Sequence, residues 1–140
     1  MLVKISKKST VLFAIMFLLL AGFVLGILYL KSVADYRQAV RETIFEDINI
    51  SDTPDGVYVG EYDVDFIYAK VEVTVQNGEI TNINILEYRH ERGKTAEVIT
   101  DSIVDEQKID VDAISGATNS STVIKKAVEN ALKSRKLTTF

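Results

Sequence analysis

The stretch most able to do chemistry is Asp112-Ala113-Ile114-Ser115-Gly116-Ala117-Thr118-Asn119-Ser120-Ser121, which packs hydroxyls and small residues between two amphipathic segments. If a helix starts here, its first backbone N–H groups lack helical acceptors and its positive dipole end favours an anion such as phosphate. The same letters also fit a purely structural role. Gly116 permits a tight turn, and Thr118, Asn119 or Ser120 can cap the helix that follows. Local physics leaves both readings open.

The rest of the composition removes much of the alternative chemistry. The 140 residues include no cysteine and one histidine, His90. A disulfide framework, a thiolate metal site, an iron–sulfur cluster and a cysteine nucleophile are therefore excluded. A lone imidazole also argues against multi-histidine metal sites and most hydrolytic machinery. Asp101, Asp105, Glu106, Asp110 and Asp112 supply oxygen ligands suited to Mg or Ca, but Asp101 and Asp105 read as a solvated helix face and show no known cation-loop spacing. All 20 acidic residues lie beyond residue 30, so residues 31–140 carry thirteen basic against twenty acidic side chains, a net −7. Such a surface disfavours nucleic acid as a partner.

The elements that would position the motif begin with an anchor. Val11 to Leu30 is uncharged over twenty residues, and about 20 helical residues at 1.5 Å rise cross a bilayer's hydrocarbon layer. Ser32-Val33-Ala34 resembles a signal-peptide cleavage site, yet a secretory apolar region usually has only ~7–15 residues, which favours an uncleaved, single-pass anchor held by membrane lipid. Lys4, Lys7 and Lys8 face Lys31, Arg37 and Arg41 across it. The short, purely basic tail of residues 1–10 tips the orientation toward an internal amino terminus and an extracytoplasmic domain.

Beyond the anchor, Val33, Tyr36, Val40, Ile44 and Ile48 recur at helical spacing and predict a helical neck over residues 31–53, ending at Asp52-Thr53-Pro54-Asp55-Gly56. Residues 54–140 then form the predicted domain. Val57 to Gly60, alternating Ala69 to Val75, and Ile80 to Leu86 read as strands, with Asn77-Gly78 a hairpin turn. Glu87 to Gly93 reads as a loop. Ala96, Ile99 and Ile103 mark a short helix, and Val123 to Leu132 a longer one closing on Lys133, Arg135 and Lys136, which complement its dipole. This order predicts an α+β fold, a small antiparallel sheet with helices on one face, preceded by a single N-terminal transmembrane helix.

Asp112-x-x-Ser115-Gly116-Ala117-Thr118 resembles the Asp-x-x-Ser/Thr-Gly-Ala-Thr signature of the FMN-binding domain family and matches every specified position. The resemblance extends through Asp55 to Gly60, Val71 to Ile85, the His90 to Gly93 loop, Ser120-Ser121 and the Ala127 to Leu132 helix, covering roughly residues 54–134. The family includes the flavin-bearing subunits of sodium-translocating NADH:quinone reductase and of Rnf electron-transport complexes. The resemblance implies a covalent FMN, esterified through its phosphate to Thr118 by a flavin transferase. It implies a recognition loop of Asp112, Ser115, Gly116 and Ala117, with Ser115 able to donate to the phosphate and Ser120 beside the acceptor. His90, with Arg89 and Arg92, is a candidate to meet the flavin ring, against the alternative of a solvated charged loop.

Together these readings describe a membrane-anchored electron carrier passing electrons between membrane or extracytoplasmic donor and acceptor proteins, rather than a stand-alone enzyme. The alternative is a non-redox binding or sensory module that holds FMN non-covalently or not at all. A flavin reductase with its own substrate ranks last, because the chain has no evident dinucleotide fingerprint. Only the minimal domain is expected, without the additional extracytoplasmic portion of the respiratory subunits, which favours a free-standing or accessory carrier.

Overall fold

The computed structural model describes residues 6–90 and 93–134. The expectations placed on Lys4, Arg92, Arg135 and Lys136 lie outside the described residues. Helix α1 runs from Lys7 to Arg41, and its apolar part is long and hydrophobic enough to cross a membrane. The chain folds as two compact units, one ending at Asp35 and one beginning at Tyr36. In the first unit the apolar side chains of α1 are exposed, as they are in Phe17 and Leu19, each 70% accessible.

The second unit is built on a three-stranded antiparallel sheet, β1 Gly56–Val64, β2 Ile67–Gln76 and β3 Glu79–Arg89, in the order β1-β2-β3. Alternation on β2 buries Ala69, Val71, Val73 and Val75 completely on one face and leaves Tyr68, Lys70, Glu72 and Thr74 on the other. Two-residue turns join the strands. Asn77 and Gly78 both take positive φ, 53° and 75°, which the hairpin turn between β2 and β3 requires. Asp65, at φ 61°, begins the other turn.

A 3₁₀ turn at Lys94–Val98 leads into α2 Ile99–Glu106, and α3 Thr118–Ser134 closes the unit. Val123, Ile124, Ala127, Val128, Ala131 and Leu132 of α3 are at most 1% exposed. They pack onto β1 and β2 on the buried face, so that both helices cover the same side of the sheet. The α+β architecture and the long apolar N-terminal helix are as the sequence predicts.

Three local expectations are corrected. The helix does not continue through a neck to Ile48. It ends at Arg41, and after a turn residues 43–49 run without regular structure, with Ile44 81% exposed. The irregular segment is instead tied down by polar contacts, since the Glu46 N–H donates to Glu129 Oε2 at 3.3 Å and Lys126 Nζ donates to the Ile44 carbonyl at 2.8 Å.

The loop expected from Glu87 starts too early, because Glu87, Tyr88 and Arg89 are strand residues of β3. Their polarity reflects a wet sheet edge: Arg89 lies over the Tyr68 ring and pairs with Asp63 at 3.0 Å. Finally, Thr118 is itself the first residue of α3, and among the described residues its hydroxyl caps nothing.

Candidate functional site

The motif forms a turn followed by a helix start. The Ala117 N–H donates to the Ile114 carbonyl at 2.9 Å, closing a turn in which Gly116 takes φ 80°. That conformation suits the third position of a type II turn and is strained for any residue with a Cβ. Helix α3 then begins, its first backbone bond running from the Ser121 N–H to the Ala117 carbonyl. The N–H groups of Thr118, Asn119 and Ser120 precede it and have no helical acceptor. Ser121 braces the turn from inside: it is fully buried, accepts from the Ile114 N–H at 3.0 Å and donates to the Ala117 carbonyl at 2.9 Å.

Gly116 to Ser120 form one wall of an open cavity of about 340 Å³, completed by Gly93, Ile67 and Tyr36. Thr118 is exposed on it, and its hydroxyl has no hydrogen-bond partner among the described residues. Its carbonyl accepts from the Thr122 hydroxyl one turn along α3 at 3.1 Å. Ala117 and Ser120 are buried at 6% and 5%. Gly93 is required by close approach: a Cβ there would run into the Ser120 side chain and come within 2.8 Å of the Tyr88 hydroxyl.

A small polar network supports that wall. The Tyr88 hydroxyl donates to the Gly93 carbonyl at 2.7 Å. Burial pushes this phenol above its ordinary pKa, and a hydrogen bond from Ser120 partly offsets the rise. The Gly93 N–H donates to His90 Nδ1 at 3.1 Å, and the His90 ring lies 4.6 Å from the Tyr88 ring. His90 thus packs on Tyr88 and reaches the cavity through Gly93, without lining it.

The remaining motif residues stand elsewhere. Ser115 is the second residue of the turn, before Gly116, and Asp112 is exposed on the preceding loop, where its charge contributes to raising the pKa of Lys108 behind the larger effect of Glu106. Neither lines the cavity. Among the described residues no three His, Asp or Glu side chains gather as a metal site. Asp110 is instead paired with Lys125, and Glu106 with Lys108.

Sequence reasoning did not single out Tyr36, Ile67, Tyr88 or Asn119 for this site. Tyr36 read as part of the neck stripe and Tyr88 as loop, and Ile67 fell just before the alternation read from Ala69. The one available signal was Gly93, a glycine at the end of a polar run, which marks a close approach.

A small open cavity, three unpaired N–H groups at a helix start and a free hydroxyl beside them suit an anionic group such as phosphate, with room for the body of a larger ligand. Residues 67–133 match the family model described as FMN-binding domain. No curated protein and no solved structure matches the chain.

Proposed function

Residues 67–133 belong to the FMN-binding domain family, and from that premise we propose that the protein is a membrane-anchored electron carrier with FMN held as a phosphoester on Thr118. The observation that carries this reading is the exposed, unpartnered Thr118 hydroxyl at the start of α3, on the wall of the cavity. FMN supplies one- and two-electron transfer; the protein supplies its position and electrostatics.

The chain's own residues divide the remaining work. A flavin transferase, as partner, brings an activated flavin phosphate. Thr118 Oγ1 would give its proton to a base of the transferase and bond to phosphorus as the bond from phosphorus to the donor's leaving group breaks, the leaving group departing with the transferase. The N–H groups of Thr118, Asn119 and Ser120 and the positive end of α3 stabilise the phosphate charge. Gly116 and Ala117 present little bulk beside the acceptor, and Ser115 donates a further hydrogen bond from the turn. Ser120, clamped by Tyr88, keeps the cavity wall fixed. Asp112, exposed and away from the cavity, suits recognition by the transferase. His90 acts through Tyr88 and Gly93, holding the loop opposite the acceptor.

A covalent ester fits a domain placed outside the cell, where a dissociated cofactor is lost by dilution. The anchor of residues 11–30 holds the carrier in the lipid, with the amino terminus inside and donor and acceptor proteins meeting the domain on the outer side. The test uses full-length protein in detergent, flavinylated by a co-produced transferase. After chemical reduction, the bleached flavin absorbance is expected to return on adding a soluble quinone or ferric acceptor, without any organic substrate. Flavin that stays reduced with every acceptor contradicts the carrier role.

A further inference from the structure

The cavity has two chemically different sides. One is the helix start at Thr118, with N–H groups and a hydroxyl. The other is formed by Ile67 and Tyr36. Tyr36 lies on α1, thirty-one residues before the segment that matches the family begins, so the cavity is completed from outside that segment.

Tyr36 is held firmly. It is 7% exposed, its ring packs on Phe66 with centroids 5.1 Å apart and planes tilted by 53°, and Val40, one turn further along α1, is 4% exposed. Phe66 sits in the turn between β1 and β2, directly before Ile67. An aromatic residue fixed in this way presents a preorganised surface to a ligand.

A ligand whose phosphate is tethered at Thr118 and whose body is a flat aromatic ring meets a polar wall at one end and this aromatic and aliphatic wall at the other. We infer that Tyr36 packs against the isoalloxazine ring and makes the end of α1 part of the flavin site. The inference rests on the reading of Thr118 as the acceptor. Offset or edge-to-face contact between the two π systems orients the ring, and a phenol in contact with an excited flavin quenches its emission by donating an electron, which returns on recombination. Tyr36 is therefore a positioning residue with a spectroscopic signature that a purely structural tyrosine lacks.

The experiment compares full-length wild type, Tyr36→Phe and Tyr36→Leu, each co-produced with a flavin transferase. It measures the mass of the Thr118 peptide, the flavin fluorescence lifetime and the melting of the domain. Tyr36→Phe keeps the ring and its packing on Phe66, so the fold is retained even if Tyr36→Leu loosens it. The expected result is flavin mass on the Thr118 peptide in wild type and Tyr36→Phe, a short lifetime in wild type and a severalfold longer one in Tyr36→Phe. Labelled Thr118 with equal lifetimes overturns the role of Tyr36 and leaves the acceptor reading standing. Absence of flavin mass from the wild-type Thr118 peptide overturns both.

Discussion

At the scale of single residues, the proposed flavin ester depends on a hydroxyl that no other described residue uses. Thr118→Ala is expected to abolish covalent flavin while changing stability by no more than about 0.5 kcal/mol, because the side chain is exposed and caps nothing. Thr118→Ser keeps the nucleophilic oxygen and is expected to retain labelling, at least in part; intact mass decides both. Gly93→Ala is the converse case. Its methyl group meets Ser120 and Tyr88, and overpacking of this kind costs about 1–3 kcal/mol, so a lower Tm with displaced flavin is expected. Unchanged melting contradicts the close approach.

Much of this site was legible in the motif, because Ser115 to Thr118 is a contiguous signature. The opposite wall was not, since Tyr36, Ile67 and Tyr88 come together only through the packing of α1, the β1–β2 turn and β3. Polarity misled at Glu87 to Arg89, where a wet strand looks like a loop. The hydroxyls of Thr118 and Ser120 read as caps, whereas the residue that braces the turn is Ser121.

At the scale of elements, α3 is held to the sheet by close approach and to the irregular segment before β1 by charge. A Cβ on Gly60 would collide with the α3 backbone at Ala127 and Ala131, so Gly60→Ala forces helix and sheet apart. A loss of about 3 kcal/mol or failure to fold is expected, because backbone on both sides leaves little room to relax. The fully buried Glu129 meets Lys126 at 2.8 Å and Lys133 at 2.6 Å, and Lys133 also reaches Glu46. Glu129, then Glu46, holds the Lys133 ammonium above its ordinary pKa of 10.5. Its contribution to stability is full below that ordinary value and is lost as pH rises through the higher folded value. On β2, the hydrogen bond to Glu61 pushes the Tyr68 phenol from 10.0 up to about 12. The unfolded chain ionises that phenol first, so stability falls further over the same alkaline range. Melts of the domain from pH 9 to 12 are expected to lose Tm from pH ~10 upward, less steeply in Tyr68→Phe; a flat profile contradicts both linkages.

For the whole molecule, the second compact unit begins at Tyr36, and the segment before β1 contributes to its core. Tyr36, Val40 and Ile50 are 7%, 4% and 6% exposed, and each buried apolar side chain of this size is worth about 1.5–3 kcal/mol. A fragment of residues 54–134 is therefore expected to be less stable than one of residues 36–134 by about 5 kcal/mol, as read by urea unfolding; equal midpoints contradict this share of the core. The strand and helix faces that make up most of the core were readable from periodicity, down to the six buried apolar residues of α3 between Val123 and Leu132. The contribution of residues 36–53 was harder to place, because its helical spacing continues past Arg41 although the helix does not. What holds residues 43–49 includes a buried carboxylate 83 residues away from Glu46 and the Lys126 ammonium on the Ile44 carbonyl, and a pattern confined to neighbouring residues carries no trace of that.

The most direct measurement of the central claim is flavin fluorescence of the denatured full-length chain, made with and without a co-produced flavin transferase, followed by mass mapping of the fluorescent peptide. Emission that survives denaturation is expected only when the transferase is present, with the added mass on the peptide containing Thr118. A dark band in both samples, or flavin mass on any other peptide, contradicts the assignment of Thr118 as the flavin acceptor.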